Sequence, residues 1–171
     1  LKFAWRLVED AAGEFTGVDT SLPNRIVKEA LQARQIAELK NIATFRSEVK
    51  YGENSRIDFL LTEDDTEIYL EVKSVTLMRQ AGLCEFPDSV TKRGAKHLDE
   101  LADMVRQGHR AIMFYLVQRT DAQSVTLAQD IDPTYADAFD RALEQGVEVL
   151  TYDCDITPKS ITLGRRLSFH R

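Results

Sequence analysis

Asp58, Glu71 and Lys73 are the residues of this chain whose types and spacing point to chemistry. They lie in R-I-D-F-L-L-T-E-D-D-T-E-I-Y-L-E-V-K-S, residues 56–74. Ile57, Phe59 and Leu61 alternate there with Arg56, Asp58 and Leu60, and Ile68, Leu70 and Val72 alternate with Tyr69, Glu71 and Lys73. Alternation of period two predicts two half-buried strands, and the polar linker between them predicts a hairpin. With Asp64-Asp65 as a two-residue loop, Asp58 falls opposite Glu71, where facing Cβ atoms are roughly 4.5–5.5 Å apart. A symmetric four-residue loop from Glu63 to Thr66 keeps that pairing, whereas a slip of one residue destroys it. Two carboxylates so close repel each other unless a proton or a cation lies between them. Lys73 projects from the same face as Glu71, so the set reads as a metal site with an activating amine. The competing reading is a surface ion-pair ladder, each pair worth about 1 kcal/mol or less.

The elements around this hairpin follow from periodicity. Residues 3–9 and 14–19 predict a short hairpin about Asp10–Gly13. Thr20-Ser21-Leu22-Pro23 supplies helix-start signals, and Ile26, Val27, Ala30, Leu31 and Ala37 make an apolar stripe to about Leu39. A strand over 45–51 ends at Gly52-Glu53-Asn54, just before the central hairpin. Residues 74–77 continue extended, and a loop holding Gly82 and Pro87-Asp88 follows. A helix over about 89–107 carries Val90, Leu98, Leu101 and Val105 on one face, with Gly94 and Ala95 allowing close approach. The apolar run 110–117 is a strand covered on both sides. Asp132-Pro133 caps a helix with Tyr135, Phe139, Ala142 and Leu143 on one face, and Gly146 stops it. Strands over 147–152 and 161–167 close the chain, the first parallel to 110–117 through a right-handed crossover. The fold class is α/β: a mixed β-sheet flanked by helices.

Composition limits what such a protein does. At 171 residues the chain predicts one main domain with its own core. No apolar run approaches the ~20 residues of a spanning helix, so no membrane partner is expected. Cys84 and Cys154 lie far apart and outside metal-type spacing, which suits free thiols in a reducing cytoplasm. The net charge of −6 excludes a surface that is basic throughout, so a nucleic-acid interface must be a local patch. Cys84 has no base nearby in sequence to make it a nucleophile. His109 and His170 are isolated, and no second His or Cys stands at zinc-type spacing from His97.

Helix, strand, an Asp on the next strand and Glu-x-Lys on the one after resemble the restriction-endonuclease-like PD-(D/E)xK nuclease core, here Asp58, Glu71 and Lys73. Longer stretches are similar to the sugar fermentation stimulation protein family. They are S-E-V-K-Y-G (47–52), R-I-D-F (56–59), E-V-K-S-V-T-L (71–77), F-P-D-S-V-T-K-R-G-A-K-H-L (86–98) and Gln145-Gly146-Val147-Glu148. The resemblance runs from about residue 5 to about residue 165. It implies a nuclease-like domain over 21–171, with residues 1–20 the last strands of an OB-like nucleic-acid-binding domain. It also implies Mg²⁺ or Mn²⁺ held by Asp58, Glu71 and the Val72 carbonyl, and Lys73 as the amine beside the attacking water. A third acid is expected on the preceding helix, with Glu29 first and Glu48 on the next strand second.

The second helix begins with Lys92, Arg93, Lys96 and His97, and Arg93 and His97 face together one turn apart. The resemblance puts Lys96 or His97 beside the site and Arg93 on a phosphate; Arg25 joins these four as nucleic-acid-binding candidates. A solvated basic face is the plainer reading. Arg165, Arg166, His170 and Arg171 form a basic tail. Two functions follow. One is a metal-dependent nuclease acting on DNA or RNA phosphodiesters. The other, implied by the family resemblance alone, is a non-specific DNA-binding regulator of sugar, notably maltose, metabolism that cleaves little or nothing. Either admits a homo-oligomer.

Overall fold

The computed structural model describes residues 6–52 and 55–171. In chain order the elements are β1 (Leu7–Glu9), β2 (Phe15–Gly17), α1 (Leu22–Gln32), β3 (Thr44–Tyr51), β4 (Ser55–Glu63) and β5 (Thr66–Val75). There follow β6 (Leu77–Gln80), β7 (Leu83–Phe86), α2 (Lys92–Arg106), β8 (Arg110–Val117), β9 (Ser124–Leu127) and α3 (Pro133–Gln145). The chain closes with β10 (Glu148–Thr157), β11 (Ser160–Arg166) and β12 (Ser168–His170). The main sheet runs β11-β10-β8-β5-β4-β3. Strands β3, β4 and β5 pair antiparallel, β5, β8 and β10 parallel, and β11 returns antiparallel on β10. The expected α/β class, a mixed sheet flanked by helices, is what the chain adopts. A smaller sheet, β12-β9-β7-β6, and the pair β1-β2 complete it.

Strand β8 explains the layering. Every residue from Ala111 to Val117 is fully buried, because both faces of the sheet are covered. On one face Phe59, Leu61, Leu70, Val72 and Phe114 pack with Ile26, Val27, Ala30 and Leu31 of α1. On the other Ile57, Leu60, Tyr69, Met113 and Tyr115 pack with Leu98 and Leu101 of α2 and Tyr135 and Phe139 of α3. The expected close approach at Gly94 is real: a Cβ there would come within 3.1 Å of the Tyr135 ring.

Several boundaries differ from the periodicity reading. Helix α1 ends at Gln32, not near Leu39: Arg34 turns left-handed (φ 54°), and the Gln35 amide closes on the Ala30 carbonyl at 2.9 Å. This reversal carries Ile36 and Leu39 into the core and leaves Ala37 outside. The loop expected about Gly82 is the β6–β7 hairpin, with Gly82 supplying a positive φ of 79° at its turn. Helix α2 starts at Lys92, where the Thr91 hydroxyl accepts from the Gly94 amide, so Val90 is left exposed. Leu143 also sits outside the buried stripe of α3. Strands β9 and β12 are too short to announce themselves by alternation. Residues 3–5 of the first expected strand and Glu53-Asn54 of the expected turn lie outside the described residues.

One buried carboxylate couples two helices. Asp132, 2% exposed, caps α3 by accepting from the Tyr135 amide at 2.9 Å, and its other oxygen accepts from the Thr91 amide at 2.7 Å, just before α2. Each buried amide left unmet costs about 1–3 kcal/mol. Asp132→Ala is therefore expected to lower unfolding free energy by about 3 kcal/mol, and Asp132→Asn, which keeps one acceptor, by about half that. Urea unfolding checks the ratio.

Candidate metal centre

The β4–β5 hairpin has the expected register as far as Phe59↔Leu70, but the expected pairing of Asp58 with Glu71 is not part of its ladder. Strands β4 and β5 pair from Glu63↔Thr66 to Phe59↔Leu70, leaving Asp64-Asp65 as a two-residue turn in which Asp64 takes a φ of 51°. The ladder stops one residue short of Asp58. On the other edge of β4 the pairing with β3 likewise passes from Ser47↔Phe59 to Val49↔Ile57, skipping Glu48, which is left-handed at φ 55°. The facing changes across this irregularity: Ile57 and Val49 belong to the α2 side, Phe59 to the α1 side. Released from regular pairing, the Asp58 carboxylate takes over as acceptor for β5. Its Oδ2 accepts from the Val72 amide at 2.7 Å and its Oδ1 from Asn24 Nδ2 of α1 at 2.7 Å. The N–H and C=O of one strand residue point to the same side, so the Val72 carbonyl faces the gap that Asp58 fills.

Glu71 lies under α2 and is 3% exposed. Its Oε1 takes a hydrogen bond from Lys73 Nζ at 2.7 Å and a shorter one with His97 Nδ1. Arg93 Nε donates to His97 Nε2 at 3.3 Å, so Nε2 is the acceptor and Nδ1–H the donor to Glu71. Lys73 Nζ stands 3.3 Å from Nδ1 as a neighbour rather than a partner. Glu71 Oε2 is buried with no hydrogen-bond partner among the described residues.

The electrostatics separate the two acids. Burial and the Glu71 charge push the Asp58 carboxyl up to about 6, against the opposing pull of the Val72 amide, Asn24 and Lys73. Burial also presses Glu71 upward, but the His97 hydrogen bond and the Lys73 charge outweigh it and hold that carboxyl below its usual range. Burial, then the charges of Glu71, Glu100 and Asp58, raise the Tyr51 phenol. A buried carboxylate oxygen without a donor, beside a second acid that resists ionising, fits a hard cation better than it fits a closed ion-pair network. Among the described residues no group of three or more His, Cys, Asp and Glu side chains forms a cage. A cation here would draw on two side chains, Asp58 and Glu71, with the Val72 carbonyl.

The other expected residues are distributed unevenly. Glu29 is half exposed and pairs with Arg25 on its own helix at 3.0 Å; Asn24 is the α1 side chain that reaches Asp58. Glu48 and Asp58 line one cleft with Asn24, Arg25 and Lys28. Lys92, Arg93 and Lys96 are exposed on α2, Lys96 pairing with Glu100 at 3.4 Å, while His97 is 3% exposed and turned inward. The basic tail is ion-paired: Arg165 with Asp153, Arg166 with Glu38, Arg171 with Asp140. Cys84 and Cys154 are buried and unpaired, and burial pushes both thiols up to about 12. Sequence reasoning missed Asn24 and the buried Glu100, which accepts from the Ser55 hydroxyl at 2.7 Å. The His97–Glu100 spacing of one turn was the available signal for Glu100; Asn24 had none.

Comparison with known proteins bears on this arrangement. The family described as "Sugar fermentation stimulation protein RE domain" matches residues 21–160. The chain belongs to that family. It is 66% identical over 165 residues to a sugar fermentation stimulation protein homolog of Roseobacter denitrificans, covering 96% of this chain and 70% of that protein. With the homolog of Ruegeria pomeroyi identity is 60% over 168 residues, or 98% of this chain and 73% of that one. Among solved structures, Pyrococcus furiosus SfsA in complex with Ca²⁺ superposes with a TM-score of 0.88 at 26% identity, over 97% of this chain and 71% of that one. The family's fold thus spans almost the whole chain.

A raised carboxyl has a definite sign in stability. Folding favours the protonated form of Asp58, so its contribution is intact below about pH 4 and is lost as pH rises through about 6. In chelator, wild type is expected to lose about 2 kcal/mol relative to Asp58→Asn between pH 4 and 6.5. Parallel unfolding curves at each pH measure the difference.

Proposed function

We propose that the chain is a divalent-metal-dependent phosphodiesterase of the nuclease class, acting on DNA or RNA. The observation that carries this reading is Glu71 Oε2, buried and without a partner among the described residues, while the Asp58 carboxylate on the neighbouring strand feels the Glu71 charge. The order of elements supports it: Asp on β4, Glu-x-Lys on β5 and a helix on each face resemble the PD-(D/E)xK core. So does the Ca²⁺ complex of the Pyrococcus furiosus relative, since Ca²⁺ takes oxygen ligands of this kind.

Asp58, Glu71 and the Val72 carbonyl would hold Mg²⁺ or Mn²⁺, which supplies Lewis acidity and charge at the scissile phosphate. The chain's residues do the remaining work. His97 Nδ1–H and Arg93 fix the Glu71 carboxylate in one orientation, a role like that of partners behind metal ligands. Lys73 Nζ supplies a positive charge and a proton donor beside the acids, placed to orient an attacking water. Asn24 holds Asp58 from the other face of the sheet. Asp58, raised first by burial and then by the Glu71 charge, would ionise more readily with a cation held there.

A second reading has one observation in its favour. Lys73 Nζ is committed to Glu71 Oε1 at 2.7 Å and only 16% of the Lys73 side chain is exposed, which leaves little of it for a substrate water. On that reading the chain is a DNA-binding regulatory protein of sugar metabolism that keeps the acidic site and cleaves little.

Mn²⁺ or Mg²⁺ at about 100 times its Kd is expected to raise Tm by roughly 5–10 °C. Asp58→Ala and Glu71→Ala should abolish the rise, and a flat Tm in wild type would remove the metal site. Lys73→Ala should keep the metal-induced rise but lower cleavage of labelled DNA or RNA at least 100-fold. Metal binding without cleavage in wild type would select the second reading.

A further inference from the structure

The α1 face carries a groove that none of the expected nucleic-acid contacts except Arg25 touches. It lies between α1, β1 and the β10–β11 turn, with a floor of Leu7, Leu22, Ile26, Pro158 and Ile161 and a rim of Arg6, Arg25 and Lys159. Among the described residues no Asp or Glu lines it. In a chain with 28 acids against 22 Lys and Arg, a cleft with three cations and no acid departs from the overall charge. Arg6 and Lys159 are exposed and make no ion pair among the described residues, whereas Arg25 pairs with Glu29 on its own helix. Lys159 is also held in place. Its turn is the two-residue link of Thr157↔Ser160, and the Thr157 hydroxyl accepts from the Lys159 and Ser160 amides at 3.3 and 3.0 Å.

The groove is small, about 170 Å³, against roughly 300–1,000 Å³ for a pocket that encloses a whole small molecule. It suits one unit of a longer ligand. Its continuation is given by Arg25, which lines both this groove and the cleft where Asp58 opens beside Asn24 and Lys28. A linear polyanion that reaches Asp58 therefore passes Glu48 and Lys28, then Arg25 with its Glu29 partner, before it comes to Arg6 and Lys159.

We infer that this groove is the lead-in for a single nucleic-acid strand, its phosphates on Arg6, Arg25 and Lys159 and a base or sugar on the aliphatic floor. The inference rests on the proposed phosphodiester chemistry at Asp58, and it adds a binding surface on the face opposite the basic start of α2. Strand affinity here comes from phosphate neutralisation and so falls with salt, with a slope of about 0.7 per phosphate contact for a single strand.

The test is binding of a short labelled oligothymidylate in EDTA, read by fluorescence anisotropy across a salt series. Arg6→Glu with Lys159→Glu is expected to weaken binding at least tenfold and to reduce the salt slope by about 1.4, two contacts' worth. Both residues are on the surface, so Tm should stay within about 2 °C of wild type; Arg6→Gln with Lys159→Gln, which adds no negative charge, should give the same slope change. Unchanged affinity and slope in both variants would overturn the inference, as would equal affinity for polyglutamate or for anionic phospholipid vesicles at the same salt. Because EDTA removes the metal, the outcome is independent of the Asp58 reading: strand binding lost in these variants with no metal-induced Tm rise in wild type keeps the groove and discards the phosphodiesterase.

Discussion

Where β4 parts from β5, the Val72 amide loses its backbone acceptor, and the Asp58 carboxylate replaces it at 2.7 Å. A buried N–H left unmet costs about 1–3 kcal/mol, so the fold cannot release Asp58 without a penalty. The same carboxylate is held from the α1 side by Asn24. It is thus fixed at a gap in the sheet, within the field of a second acid that the rest of the structure has pinned from the α2 side. The two acids share one field but not one environment, and this asymmetry organises the candidate site.

That asymmetry has a physical source in what each acid touches. Glu71 meets an imidazole N–H and an ammonium, and stays ionised despite burial. Asp58 meets two neutral donors and the Glu71 charge, and is pushed toward its protonated form. Pairs of titratable groups driven apart in this way mark sites where charge is added or moved. The left-handed Glu48 on the neighbouring strand is the backbone counterpart of the same irregularity, since ladders on both edges of β4 are interrupted at Asp58.

The α2 side depends on long-range packing. His97 reaches Glu71 because α2 lies at a set height over β5, and that height is shared with α3 through Asp132, which holds the entry to one helix and the first turn of the other. The fully buried Tyr115–Tyr135 hydroxyl pair, at 2.6 Å, ties α3 to the central strand. Disturbance of the helix layer would therefore be felt at Glu71 before it was felt at Asp58, whose supports are on β5 and α1.

Local pattern determined much of this molecule. Alternation over 59–61 and 68–73, with the Asp64-Asp65 turn, gave the two strands their register, because a slip would invert a face that burial fixes, but it did not foresee Ile57 turning to the α2 side. The continuous apolar run of β8 announced a strand covered twice, and Asp132-Pro133 with Gly146 bounded α3, since caps are written in residues next to the ends they close. The family likeness was carried by contiguous stretches such as 86–98. Tertiary structure decided what no neighbour in sequence specifies. It stopped α1 at Gln32 so that Ile36 and Leu39 could fold back into the core, and it set Asn24 rather than Glu29 against Asp58. It also turned His97 inward to Glu71, although its neighbours Lys96 and Arg93 read as a basic surface. Periodicity reports which face of an element is apolar; which partner a polar side chain meets depends on how the layers are stacked, and that is fixed only when the whole core packs.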